Sequence, residues 1–239
     1  MSSLNNFVCK SAAPGQGAQQ DNYKLVIQSV NLIIRTKKLT STAHGALMNR
    51  LILKNMRHYL SRVQMKHLSI PANQTSINLD NVFTGALPDL VIVCLVSDAD
   101  LAGGYQRNQL NFQNFGVNLI ELTCNATSRP SQGYTPNFAS KPYIKYYMTF
   151  LQKLECHTGD KSVCLTLSKW SNGYKLYAFK MTDNRIGPGM YSPRSKSATG
   201  SACLDVSFAA AVNKTIKVIL LYQMLGRLEF DRFNEVLVL

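Results

Sequence analysis

Residues 90 to 96, Leu-Val-Ile-Val-Cys-Leu-Val, constrain the fold of this chain more than any other stretch. Alternate side chains of an extended chain point to opposite faces, so Leu90, Ile92, Cys94 and Val96 face one way and Val91, Val93 and Leu95 the other. Both faces are apolar, and both must therefore be covered. This predicts a strand in the interior of a sheet, packed from above and below. Pro88 suits its start, while Asp98, Asp100 and Gly103-Gly104 suit its stop. The polar and aromatic stretch that follows, as far as Phe115, has neither a helical nor an alternating period. Loops of that length usually carry contacts.

With 239 residues the chain can bury a sizeable core without disulfides. Its apolar runs, Leu90 to Val96 and Val218 to Tyr222, are of strand length and too short to cross a membrane. Met1 to Lys10 lacks the charged start and apolar centre of a signal peptide, which places the chain in the cytoplasm or nucleus and makes the Asn-x-Thr sites at Asn73, Asn125 and Asn213 unmodified. The six cysteines include no Cys-x-x-Cys pair. Cys94, Cys124 and Cys203 lie in strand-like segments and read as buried thiols. Cys156-His157 with Cys164 is the arrangement nearest to a zinc site, but it lacks a second ligand pair, so no metal and no cofactor are expected.

Along the chain, residues 1 to 22 are poor in large apolar groups and predict a flexible arm. A first strand is expected from Tyr23 or Lys24 to Thr36. A short helix capped by Thr40, Ser41 or Thr42 follows, with Leu47 and Leu51, and Met48 and Ile52, one turn apart. His58 to Ile70 alternates and predicts a strand burying Val63 and Met65, ended by Pro71. Residues 77 to 82 read as a short helical or irregular link, Val117 to Asn125 as a strand, and 126 to 142 as a loop. Ser140 and Pro142 open a helix with Tyr143, Tyr147 and Leu151, and Ile144 and Met148, along one stripe. Strands are expected at Val163–Leu167, Tyr174–Met181, Cys203–Ala209 and Thr215–Gln223. A basic loop spans 183 to 200, and an apolar tail from Leu228 to Leu239 should pair or pack on a neighbour. About eight strands and two short helices predict an all-β sandwich.

Enzymatic chemistry finds little support. The 13 acidic residues form no paired set, the four histidines have no sequence partners, and no Gly-x-Ser-x-Gly, Walker or His-x-Glu pattern occurs, so neither catalysis nor a small-molecule substrate is expected. The charge says more: 26 Lys and Arg against 13 Asp and Glu give a formal +13, which favours an anionic partner. The cations are dispersed, so any nucleic-acid contact would be non-specific.

Phe83-Thr84-Gly85-Ala86-Leu87-Pro88, Asp98, Gly104-Tyr105 with Arg107-Asn108, and Asn111-Phe112 with Asn114-Phe115 recur in order in one protein family. So do Pro136 with Phe138, Tyr143 to Met148, Gly173 to Phe179, Leu204-Asp205 with Phe208, Asn213 with Ile216, and Asp231-Arg232. The chain thereby resembles the double jelly-roll major capsid (hexon-like) proteins of Polinton/Maverick elements and adintoviruses. The match corresponds to the second jelly roll of such a protein. The resemblance implies a single jelly-roll sandwich over residues 23 to 239, with eight strands in two sheets. It also implies a structural role in the virion as part of a homotrimeric capsomer beside other capsid subunits, in a truncated or domesticated copy. Subunit contacts would come from the loops, with Arg107, Phe112, Phe115, Tyr191 and Arg194 as candidates, because exposed aromatic and arginine side chains dominate interfaces. A single jelly-roll minor capsid (penton-like) protein would share the sandwich. So would a host nucleic-acid- or carbohydrate-binding module.

Overall fold

The computed structural model describes residues 26–103, 107–136, 143–157, 163–181, 199–231 and 236–238. Among these, residues 63–224 form one compact unit, and residues 26–62 with 225–231 and 236–238 form another.

Nine strands are described: β1 (Met56–Ile70), β2 (Ser76–Ala86), β3 (Leu90–Ser97), β4 (Val117–Cys124), β5 (Thr127–Tyr134), β6 (Leu176–Lys180), β7 (Thr199–Phe208), β8 (Ile216–Phe230) and β9 (Val236–Val238). They form two sheets, in the orders β1-β8-β3-β6 and β2-β7-β4-β5, with β9 beside β8. These orders have a simple origin. β4 and β5 form a hairpin, β3 pairs antiparallel with β6, β2 with β7, and β1 lies beside β8. Each pair encloses the one before it. The first eight strands are thus one long, nested antiparallel hairpin, rolled so that alternate pairs fall in opposite sheets and are joined by the β3–β8 and β4–β7 ladders. That connectivity is the jelly roll.

The main core lies between the sheets of the larger unit. Val91, Val93 and Leu95 of β3, Tyr177 and Phe179 of β6, and Ile216, Val218 and Leu220 of β8 meet Ile120 and Leu122 of β4 and Leu204, Val206 and Phe208 of β7. The opposite face of β3 is covered as well. Leu90 and Ile92 pack with Phe150 and Trp170 from the helices α3 (Tyr143–Lys153) and α4 (Leu167–Ser171). Cys94 and Val96 pack with Ile219, Leu101 and Phe112. The doubly apolar run is therefore an interior strand covered on both faces, as its sequence requires.

Several elements differ from their sequence expectation. The described part of the expected first strand, residues 26 to 36, has no regular structure, and Val30, Leu32 and Ile33 are exposed. The helix after it, α1 (Ser41–Leu53), begins as expected, with Thr40 Oγ1 accepting from the Ala43 N–H at 3.4 Å. β1 is a strand but in the opposite phase. Leu68 and Ile70 face the core with Lys66, whose Nζ donates to the Val82 carbonyl at 2.9 Å, while Val63 and Met65 are 71% and 65% exposed.

Residues 77 to 82 lie in a true strand, disguised by a break in register between Leu79 and Phe83 with Asn81 at φ 51°. The expected loop at 126 to 142 contains β5, joined to β4 through Asn125 and Ala126 at φ 48° and 61°. Two successive positive φ values define a hairpin turn that matches the twist of its strands. Val163–Leu167 is not a strand, and Leu167 instead opens α4, whose cap is Thr166. On α3 the buried stripe runs through Tyr143, Tyr146, Tyr147, Phe150 and Leu151, leaving Ile144 and Met148 outside. At the tail, Leu228–Phe230 pairs with Val236–Val238 of the same chain. The arm at 1 to 22 lies outside the described residues, as does most of the basic loop at 183 to 200.

Candidate functional site

The loop that leaves β3 is built by local hydrogen bonds that fix its course over the sandwich. Asp98 and Asp100 lie in a single helical turn, α2 (Asp98–Leu101). The Asp98 N–H donates to the Thr215 carbonyl at 3.1 Å, and its carboxylate lies 3.5 Å from Lys217 Nζ. Asp100 lies 3.7 Å from the Arg107 guanidinium. Gln109 Nε2 donates to the Leu101 carbonyl at 2.8 Å, and Asn108 Oδ1 accepts from the Leu110 N–H at 2.9 Å.

The second half of the loop is stitched to the chain before β6. The Phe112 N–H donates to the Gly173 carbonyl at 2.8 Å, and the Lys175 N–H donates to the Phe112 carbonyl at 3.0 Å, a one-residue parallel bridge. The Gln113 N–H reaches the Leu95 carbonyl at 3.2 Å. Phe112 packs beside Cys94, Val96 and Ile219, and Phe115 packs against the main core with Lys214 Nζ 5.5 Å from its ring centre.

Of the expected contact residues, Phe112 and Phe115 therefore pin the loop to its own sandwich. Arg107 stays about half exposed and paired to Asp100. Tyr191 and Arg194 lie outside the described residues. Among the described residues the exposed large apolar groups of the larger unit are Val63 and Met65 on β1, Leu110 in the loop, Ile144 and Met148 one turn apart on α3, and Tyr174 at the bridge. In the smaller unit they lie in residues 26 to 39 and at Ile52 and Leu53 near the end of α1. Outward alternation in β1 was legible in the sequence, but its phase was not, because Lys66 can bury its stem as readily as a methionine.

A feature the sequence reading passed over is a cleft of about 300 Å³ lined by Asn111, Gln113, Asn114, Ser171, Asn172, Gly173 and Lys175. Its signal is compositional. Polar residues gather there, Asn111, Gln113 and Asn114 on one side and Ser171 with Asn172 on the other, each just ahead of an apolar strand. Among the described residues no group of three or more His, Cys, Asp or Glu could hold a metal ion, and no helix is long and apolar enough to cross a membrane.

The titratable groups are perturbed mainly by burial. Desolvation pushes the Cys94 thiol up to about 12 and raises the Tyr134 and Tyr177 phenols, and it lowers the Lys175 ammonium to about 8. Asp205 is raised by burial and then by the neighbouring carboxylates of Glu121 and Asp80.

No family model and no curated protein matches the chain. Among solved structures, it is similar to a chain of the Sputnik virophage (TM-score 0.45, 10% identity, covering 77% of this chain and 39% of that one). It is likewise similar to PBCV-1 VP54 as fitted into a reconstruction of Sputnik (TM-score 0.45, 9% identity, 80% and 52%). A third is the mavirus major capsid protein (TM-score 0.38, 9% identity, 77% and 41%). The chain thus spans about two fifths to one half of the length of these proteins.

Proposed function

We propose that this chain is a structural capsid subunit of the Polinton/Maverick and adintovirus type, which forms a trimer and joins other capsid subunits in an icosahedral shell. The observation that carries this reading is the strand order, an eight-strand nested hairpin closed into two four-strand paths, together with the ordered residues that resemble that family. On this reading the contacts come from Arg107, Tyr191 and Arg194, with Phe112 and Phe115 holding the loop in shape for them. The outward Val63 and Met65 supply apolar contact area. The formal +13 charge would act without sequence preference on packaged nucleic acid.

The test is the mass of the nuclease-treated protein in solution, measured by light scattering after gel filtration at low and moderate salt. A salt-resistant trimer is expected. The double variant Val63→Asp, Met65→Asp should remain folded, because both side chains face solvent, and should shift to monomer. A wild-type monomer at both salts would refute the proposal, as would a trimer untouched by Val63→Asp, Met65→Asp together with Arg107→Ala.

A further inference from the structure

Residues 26 to 36, Val-Ile-Gln-Ser-Val-Asn-Leu-Ile-Ile-Arg-Thr, have the composition of a strand but no sheet around them. Val26, Ile27, Val30, Leu32, Ile33 and Ile34 are 65% to 92% exposed. Among the described residues no backbone hydrogen bond involves residues 26 to 39. A segment rich in β-branched side chains, with its N–H and C=O groups unpaired, gains most by adding to the edge of a sheet. It does not do so among the described strands of its own copy, which leaves the edge of a second copy.

Four described strands are sheet edges, β1 and β6 in one sheet and β2 and β5 in the other. Their sequences separate them. Residues 26 to 40 contain Arg35, Lys37 and Lys38 and no acidic residue, so the arm favours a negative edge. β1 has Arg57, Arg62 and Lys66 and no acidic residue. β5 has Arg129 and is blunted by Pro130, and β6 is five residues long with its Lys180 paired to Glu155. β2 has Asp80 and no cation, and at 11 residues it matches the length of the arm.

The negative charge of that edge is reinforced by its neighbours. Asp205 of β7 stands opposite Asn78 of β2 and Glu121 of β4, and the Asp80 and Glu121 carboxylates both act on it. Leu79, Leu204 and Leu122, each adjacent in sequence to one of these acids, pack in the core, so Asp80, Asp205 and Glu121 share the outer face. Among the described residues none of the three has an ion pair. The other face of the edge is apolar, with Ile77 and Leu79 only half-buried. The alternation of the arm fits both faces. With Val26, Val30, Leu32 and Ile34 turned to the apolar side, Arg35 and Lys37 point to the side of the carboxylates.

We propose that residues 26 to 38 of one copy add as a strand to the β2 edge of a second copy, with Arg35 and Lys37 meeting Asp80, Asp205 and Glu121 and with Val30, Leu32 and Ile34 covering Ile77 and Leu79. This contact is separate from those of the capsid reading, which lie on β1 and in the loops, and it holds whether or not those form.

The test is hydrogen–deuterium exchange of the full chain at low and high protein concentration, read at residues 26 to 36 beside the mass from light scattering. Protection of the arm by about tenfold or more is expected at high concentration and should be lost on dilution. Arg35→Glu with Lys37→Glu, at exposed positions, should abolish it, and adding Asp80→Arg should restore it in part. Free exchange of the arm at every concentration would overturn this proposal, and if the protein were still a trimer the capsid reading would stand. Protection of the arm in a monomer would also overturn it, by placing the strand within its own copy. So would protection unchanged by Arg35→Glu with Lys37→Glu. A protected arm in a species other than a trimer would support the contact while refuting the trimer.

Discussion

Replacing Gly200 with alanine should break a specific lock between the β4–β5 turn and the start of β7. Asn125 Nδ2 donates to the Thr199 carbonyl at 3.1 Å, and the Ser201 N–H donates to Asn125 Oδ1 at 3.1 Å. The asparagine amide thereby lies flat across Gly200. A Cβ on residue 200 would stand 1.8 Å from Oδ1 and 2.5 Å from Cγ, inside any possible contact distance. The side chain must swing away and lose both bonds. Two neutral hydrogen bonds at about 1 kcal/mol each set the cost at about 2 kcal/mol. With a urea m-value of about 2 kcal/mol/M, the unfolding midpoint of Gly200→Ala should fall by about 1 M.

The decisive assay is a double-mutant cycle with Asn125→Gly, which keeps the left-handed backbone at φ 48° while removing the amide. Asn125→Gly alone should cost a similar amount. Adding Gly200→Ala to it should cost only the backbone strain of an alanine at φ +159°, which both backgrounds share, leaving a coupling energy near 2 kcal/mol. If Gly200→Ala lowers the midpoint as much in the Asn125→Gly background as in the wild type, the clash is not with the asparagine and the reasoning fails.

Three further outcomes are expected. Tyr134 donates its hydroxyl to the Ala178 carbonyl at 2.7 Å, whereas the buried Tyr177 hydroxyl finds no partner among the described residues. In urea unfolding Tyr134→Phe should therefore lose about 1 kcal/mol, and Tyr177→Phe should be neutral or gain stability. Glu121 and Asp205 stand opposite each other on adjacent strands, and the Asp205 carboxyl is raised by burial and by that repulsion. Asp205→Asn should thus stabilise by a few tenths of a kcal/mol at low salt, shrinking as salt is added. Cys94, held at about 12 by burial, should resist alkylation in the native protein at pH 8 while exposed Cys164 reacts, read by mass spectrometry. Because its folded value lies above the unfolded one, the stability contributed by the Cys94 proton is present below about pH 9. It is lost as pH rises toward 12, and Cys94→Ala should flatten that alkaline decline.

Burial on two faces made β3, β6 and the first part of β8 readable from their residues alone, and one-sided alternation did the same for β4 and β7. β5, Thr-Ser-Arg-Pro-Ser-Gln-Gly-Tyr, was unreadable because it is an edge strand whose place is set by the Asn125-Ala126 turn and by pairing with β4, not by apolar content. β2 was hidden by the shift at Asn81, which breaks the alternation midway. The opposite error occurred at 26 to 36, where Val, Leu and Ile have high strand propensity, yet propensity does not supply a partner. At the loop, Phe112 and Phe115 were visible as features, but whether an aromatic side chain faces outward depends on the fold beneath it. The polar cleft required two segments about 60 residues apart in sequence to meet, and no local pattern encodes that meeting.

The nested hairpin also fixes the order in which the sandwich can be completed during synthesis. β4 and β5 are joined by a two-residue turn and can pair as soon as they leave the ribosome, whereas β8 follows all seven other strands of the roll and yet lies between β1 and β3. Until it arrives, β1 and β3 each present an unpaired edge, and Val91, Val93 and Leu95 lack the Ile216, Val218 and Leu220 side chains that complete their core. A nascent chain stalled before residue 216 therefore exposes sticky backbone and an open apolar seam at the same moment, a state that chaperones bind and that neighbouring copies on a polysome could invade.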